Sequence, residues 1–204
     1  MGRPLYKNGK GGKEMKRNPS FKFNGNELFY LDNEYNSTSL NERSVEIPIV
    51  LSICPLTEGV LEVGNVLNHY YGIDHPVVDI KEEGRGVINE DIRTVRIRSV
   101  FSRSISISTI EHIGGLSDMI DAINKIKLML SPGGELICTL PIGYRKEANH
   151  LVFDCPELFS NQWFMKRISD NNEWEQVEKK DVRGVKYGRP WKWANSIMIG
   201  RCKK

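Results

Sequence analysis

From Gly59 onward the apolar residues come in short clusters, the first three closed by Gly or an acid, and one longer stretch repeats every three or four residues. The clusters predict strands at Val60 to Val63, Pro76 to Ile80, Gly86 to Ile92, Ser104 to Ser108 and Glu135 to Leu140. The longer stretch predicts a helix over Leu116 to Leu130, with Met119, Ile120, Ile123, Ile126 and Leu130 on one face and Asp118, Asp121, Asn124 and Lys125 largely off it. Ser131-Pro132-Gly133-Gly134 ends that helix, because Pro cannot extend it and Gly permits the turn. Such alternation argues for an α/β domain with a mostly parallel sheet. The pattern then changes. Trp163 to Ile168, Glu173 to Glu178 and Ser196 to Cys202 read as strands with no long helix between them, and Asp170-Asn171-Asn172 as the turn joining the first two. An antiparallel element at the sheet edge follows.

Upstream, residues 1–25 read as a flexible, Gly- and Lys-rich tail, 26–58 as an amino-terminal extension with a helical pattern over Leu40 to Ile53 capped by Ser39, and 59–204 as the main domain. With 204 residues, 39% hydrophobic and 27% charged, the composition is that of a globular protein. Charge is unevenly placed. Residues 1–22 carry seven Lys or Arg against the single acid Glu14, a net +6, so that a whole-chain charge of +3 leaves −3 for the rest. The body therefore offers no reason to expect a nucleic-acid partner, although the basic end and the aromatics Trp163, Trp174, Tyr187, Trp191 and Trp193 provide an alternative reading as RNA or protein contacts. Cys54, Cys138, Cys155 and Cys202 lack CxxC spacing, and isolated thiols in core runs fit a reducing, cytoplasmic setting. No signal segment is visible, and the apolar run Ile47 to Leu56, broken by Pro48 and Pro55, is too short to span a bilayer. The four histidines, His69, His75, His112 and His150, form no metal motif.

In open parallel sheets ligands bind beyond the carboxyl ends of the strands, and polar residues sit at these ends here. Gly64 closes the first strand and permits close backbone approach; the GxGxxG of a nicotinamide-binding fold is absent. Asp79, closing the second, can accept hydrogen bonds from two ribose hydroxyls. Asp91 beside Ile92 suits an adenine, pairing its amine and packing on its ring. The run Ser106 to Gly114 ends a strand with hydroxyls, then Glu111 and His112, where a base can sit near a substrate.

Together, Leu61 to Asn65, Val77 to Glu82, Asn89 to Ile92, Ile107 to Gly114 and Leu130 to Pro141 resemble the class I S-adenosylmethionine (SAM)-dependent methyltransferases, and Ala194 to Gly200 is similar to their last strand. The subgroup most resembled is a set of small prokaryotic methyltransferase-domain proteins that carry a segment like Asn41 to Glu46. The resemblance implies a Rossmann-like, mostly parallel seven-stranded sheet with an antiparallel C-terminal edge and helices on both faces. It implies SAM as cofactor, with Glu62, Gly64 and Asn65 on its methionine and ribose side, Asp79 on the ribose, Asp91 and Ile92 flanking adenine, and Ser108, Thr109 and Glu111 at the methyl end. His112 becomes the candidate base, and Glu42 and Arg43 belong to a lid over cofactor and substrate. The expected activity is methyl transfer to an O or N atom of a small molecule or sugar-containing metabolite; a non-catalytic binding module of the same fold is the alternative. Three departures from the family stand out: the first loop lacks its second and third glycines, Ser102 stands where an acid is common, and Asp79 to Asp91 is short for an intervening helix.

Overall fold

A computed structural model describes residues 18–204, so residues 1–17 of the expected basic tail lie outside the described part. The first element is an unexpected hairpin, β1 (Ser20–Phe23) and β2 (Asn26–Phe29). Asn24 (φ 53°) and Gly25 (φ 80°) turn it, the Asn-Gly pair that a two-residue hairpin with left-handed central residues favours. Helix α1 (Arg43–Ile53) follows, capped not by Ser39 but by Glu42, with Asn41 Oδ1 accepting the Arg43 N–H. Pro48 lies inside this helix and removes one intrahelical bond; the Ser44 carbonyl it leaves free accepts the Leu31 N–H at 2.9 Å.

The main sheet has eight strands: β3 (Val60–Val63), β4 (Val77–Val78), β5 (Val87–Ile88), β6 (Phe101–Ile107), β7 (Leu130–Pro141), β8 (Asn161–Arg167), β9 (Trp174–Val177) and β10 (Ser196–Lys203). Their order is β5-β4-β3-β6-β7-β10-β8-β9. The five from β5 to β7 are mutually parallel; β10 pairs antiparallel with both β7 and β8, and β9 closes the edge antiparallel to β8. The Rossmann-like sheet is thus present, with one difference from the expectation. It has one more strand than seven, and within the expected antiparallel edge the last strand in sequence, β10, lies between β7 and β8. The reason is legible in β10 itself. Ile197 and Ile199 enter one core and Met198 and Cys202 the other, so both faces are covered and the strand must lie inside the sheet.

Those two cores place helices on both faces. Helix α2 (Leu116–Met129) and the unexpected α3 (Lys146–Asp154) cover one with Met119, Ile123, Ile126, Leu151 and Val152 against Leu61, Leu136 and Leu140. Helix α1 and the hairpin cover the other with Val45, Ile49, Phe21 and Phe23 against Ile105, Ile137 and Ile197. The carboxyl-terminal aromatics are used for packing. Trp174 is buried with its indole N–H on Asn172 Oδ1, Trp163 meets Phe23 edge-on, and Arg167 lies over Trp191. All four cysteines are free thiols. Among the described residues no helix is long and apolar enough to cross a membrane, and no cluster of His, Cys, Asp or Glu could hold a metal ion.

Candidate functional site

From β3 the chain winds through β4 to β5 in one direction, and β6 and β7 lie on the other side of β3. The crevice of such a sheet therefore opens between the carboxyl ends of β3 and β6. A cleft of about 430 Å³ lies there, within the range of small-molecule sites. Its wall includes Arg43, Gly64, Asn65, Asp79, Asp91, Ile92, Thr109 and His112, all singled out from the sequence.

The first loop is built from below by Glu62. This carboxylate is fully buried. Oε1 accepts the Val66 and Leu67 N–H groups at 2.9 and 2.7 Å, and Oε2 lies 3.1 Å from His75 Nε2. The family resemblance implied that Glu62 lines the cofactor, but it does not reach the cleft; it shapes the turn that does. Gly64 (φ 89°) is obligatory twice over, because a Cβ here would lie 2.1 Å from Thr109 Oγ1 as well as forcing a left-handed side-chain residue. Gly64→Ala is expected to cost about 1–3 kcal/mol, since β-branched Thr109 has no easy retreat; thermal denaturation measures it. Asn65 donates its N–H to Asp79 Oδ2 at 3.0 Å and its Nδ2 to Glu82 Oε2 at 2.7 Å, leaving Oδ1 buried without a partner. The missing glycines of the loop are thus replaced by a side chain held in place.

Asp79 follows β4 directly. Its Oδ1 accepts the Lys81 and Glu82 N–H groups, both at 2.8 Å, which curls the chain back with no helix before β5 and leaves Oδ2 with a single donor. Next to it Ile80 is 60% exposed, a large apolar side chain on the cleft wall. Its placement after a two-residue strand hid it from periodicity. Asp91 differs from the expectation. Arg93 grips its carboxylate through Nε and Nη2, at 2.6 Å for the latter, and this hydrogen bonding holds Asp91 below the usual carboxylate range. Arg93 also bridges to Asp118, whose Oδ2 accepts the Gly115 N–H at the start of α2. Asp91 thus anchors a loop, whereas its neighbour Ile92 faces the cleft.

Beyond β6 the predicted residues divide. Thr109 and His112 line the cleft, but Ser108 and Glu111 lie behind it. Ser108 donates its hydroxyl to Glu46 Oε1, tying the strand end to α1. Glu111 is 1% exposed, with Oε2 lacking any partner; burial first, then Glu46, hold its pKa well above the usual carboxylate value. His112 is half exposed, 3.7 Å from Glu111 Oε1, and burial followed by Lys81, Arg43 and Arg145 lowers its pKa. The segment expected as a lid is bound to the sheet instead. Glu42 accepts the Ala194 N–H at 3.1 Å, away from the cleft, and Arg43 donates to Ile107 O and Glu46 Oε2 at 3.0 and 2.9 Å. Ser102, the second departure, lies at the opposite end of β6, where its hydroxyl donates to Gly59 O, so it has no bearing on this cleft.

No family model and no curated protein matches the chain. Among solved structures, it is similar to the N-methyltransferase NodS of Bradyrhizobium japonicum in complex with S-adenosylhomocysteine (SAH), at 12% identity over 71% of this chain and 76% of that one, TM-score 0.45. A SAM-dependent methyltransferase of Thermotoga maritima is 13% identical over 75% and 86%, TM-score 0.46. Another, from Clostridium acetobutylicum, is 13% identical over 70% and 82%, TM-score 0.38. Likenesses this distant do not identify the site; the fold rests on strand order and the site on its own geometry.

Proposed function

We propose that this chain is a SAM-dependent methyltransferase that acts on an O or N atom of a small molecule. The observation that carries the reading is the convergence of three strand ends on one cleft: Gly64-Asn65 from β3, Asp79-Ile80 from β4 and Thr109-His112 from β6. The residues fit the cofactor. Asp79 Oδ2, with one donor in place, has room for a ribose hydroxyl. Exposed Ile80 and cleft-lining Ile92 supply apolar surface for a purine. Asn65 Oδ1 is an acceptor waiting for a donor, and the cofactor's ammonium group is one. When bound, SAM supplies a methyl group on a leaving group already activated by positive charge.

What the chain's own residues must do is modest. Holding reactants in line supplies roughly 7–11 kcal/mol of barrier lowering, whereas a general base adds about 10²–10⁴-fold. Positioning dominates, and a rigid cleft without a catalytic triad is adequate. His112 is the residue to hold a proton: its lowered pKa leaves a ring nitrogen free as acceptor at neutral pH, beside the cleft.

Isothermal titration of SAH into the protein tests the reading. Saturable binding is expected, weakened about tenfold by Ile80→Ala through loss of apolar contact, on the order of 1.4 kcal/mol. A folded wild-type protein that takes up no SAH would turn the reading toward a non-catalytic binding module.

A further inference from the structure

Next to the cleft lies a group of side chains that cofactor binding does not use. Glu42 and Glu46 project from the start of α1, and Glu111 from the turn after β6. All three are buried, and Glu111 feels both of the others electrostatically. Arg43 is the one cation that faces them from α1, and it is committed to Glu46 and to Ile107 O. Glu46 spends its other oxygen on Ser108, and Glu42 takes the Ala194 N–H. Arg145 meets this group only through backbone, donating to Glu111 O and Gly114 O, and its side-chain ion pair is with Glu147 at 3.5 Å. Three carboxylates thus share one guanidinium, and Glu111 Oε2, at 1% residue exposure, has no partner. A buried carboxyl left in this way is costly unless something binds it.

Aromatic rings stand beside the acids. His112 meets Tyr144 edge-on at 5.3 Å, and Tyr144 meets Tyr187 at 5.0 Å. Tyr187 lies within electrostatic reach of Glu42, Glu46 and Glu111 together. These residues come from the turn after β6, the loop after β7 and the loop before β10, and His112 belongs both to this group and to the cleft wall. Ring faces attract cations, and buried acids attract cations and repel anions.

We propose that the acids Glu42, Glu46 and Glu111 with the rings of His112, Tyr144 and Tyr187 form a binding site for a protonated amine. The inference rests on the cofactor reading of the neighbouring cleft in one respect: the amine is then the molecule to be methylated. Glu111 is the direct partner of the ammonium group, because its buried Oε2 is the acceptor with no hydrogen bond of its own. The rings hold the apolar body of the amine and stabilise its charge.

The test compares shape-matched pairs by isothermal titration: phenethylamine against 2-phenylethanol, and hexylamine against hexanol, each with and without saturating SAH. At least one amine is expected to bind tenfold or more tightly than its alcohol, and Glu111→Gln to reduce that preference to within about twofold. Circular dichroism checks that the variant is folded. Tyr144→Leu, at a residue 40% exposed and so tolerant of change, serves as the second variant and is expected to weaken the amine about three- to tenfold. Equal binding of every amine and its alcohol, or a preference that survives both variants, overturns the proposal. SAH uptake by the wild-type protein is read in the same experiment and judges the methyltransferase reading separately.

Discussion

Glu62→Ala lowers the thermal unfolding midpoint by about 6–20 °C, the equivalent of about 3–5 kcal/mol in a domain of this size. The size of the effect follows from what is left behind. The carboxylate is fully buried and satisfies the Val66 and Leu67 N–H groups and the ring of His75. Truncation strands two backbone donors and an imidazole beneath the first loop, and each buried unsatisfied group costs about 1–3 kcal/mol. Circular dichroism against temperature measures the loss. A shift of under about 2 °C would mean that water enters and replaces the carboxylate. Glu62→Gln retains one acceptor and is expected to fall between wild type and Ala.

Asp79→Ala is expected to lower SAH affinity about 100-fold or more. Two losses combine. The carboxylate no longer meets the ribose, and hydrogen bonds to a charged group contribute about 1.5–3 kcal/mol, roughly tenfold or more each. The turn after β4 also loses its organiser, because Asp79 takes the N–H groups of Asn65, Lys81 and Glu82. Asp79→Asn keeps one oxygen for those donors and is expected to weaken SAH about tenfold. Titration calorimetry on folded variants resolves the series; equal affinity in wild type and Ala would place the adenosyl group elsewhere.

The sequence and the structure agree where local patterning and burial point the same way. Helix α2 repeats its apolar face cleanly, and the strands around Gly64, Asp79 and Thr109 are short apolar runs with polar ends, so their place at the carboxyl edge of the sheet was legible. The hairpin at Asn24-Gly25 carried a strong turn signal but was hidden among the lysines and glycines of the amino end. Helix α3 shows only three buried positions, Ala148, Leu151 and Val152, too few to stand out in a polar stretch. Glu62 and Glu111 show a deeper limit. A charged residue at a strand end reads as a ligand contact, because spacing along one chain does not reveal which acids turn inward. Asp91 shows a related limit: it lines the cleft, but Arg93, two residues on, folds back onto its carboxylate.

The insertion of β10 between β7 and β8 depends on both faces of a single strand being covered by elements far apart in sequence, helix α1 and helix α2. Alternation alone showed a strand there without showing its neighbours. The acidic cluster likewise exists only through this topology, which brings the start of α1, residues 42–46, against the turn at 108–111.

The most direct measurement is a crystal structure of the protein grown with SAH. Density for the ribose within hydrogen-bonding distance of Asp79, with the purine against Ile80 and Ile92, is the predicted result. Density at another surface, or an ordered complex in which Asp79 and Asn65 touch no part of the ligand, would contradict the assignment of this cleft.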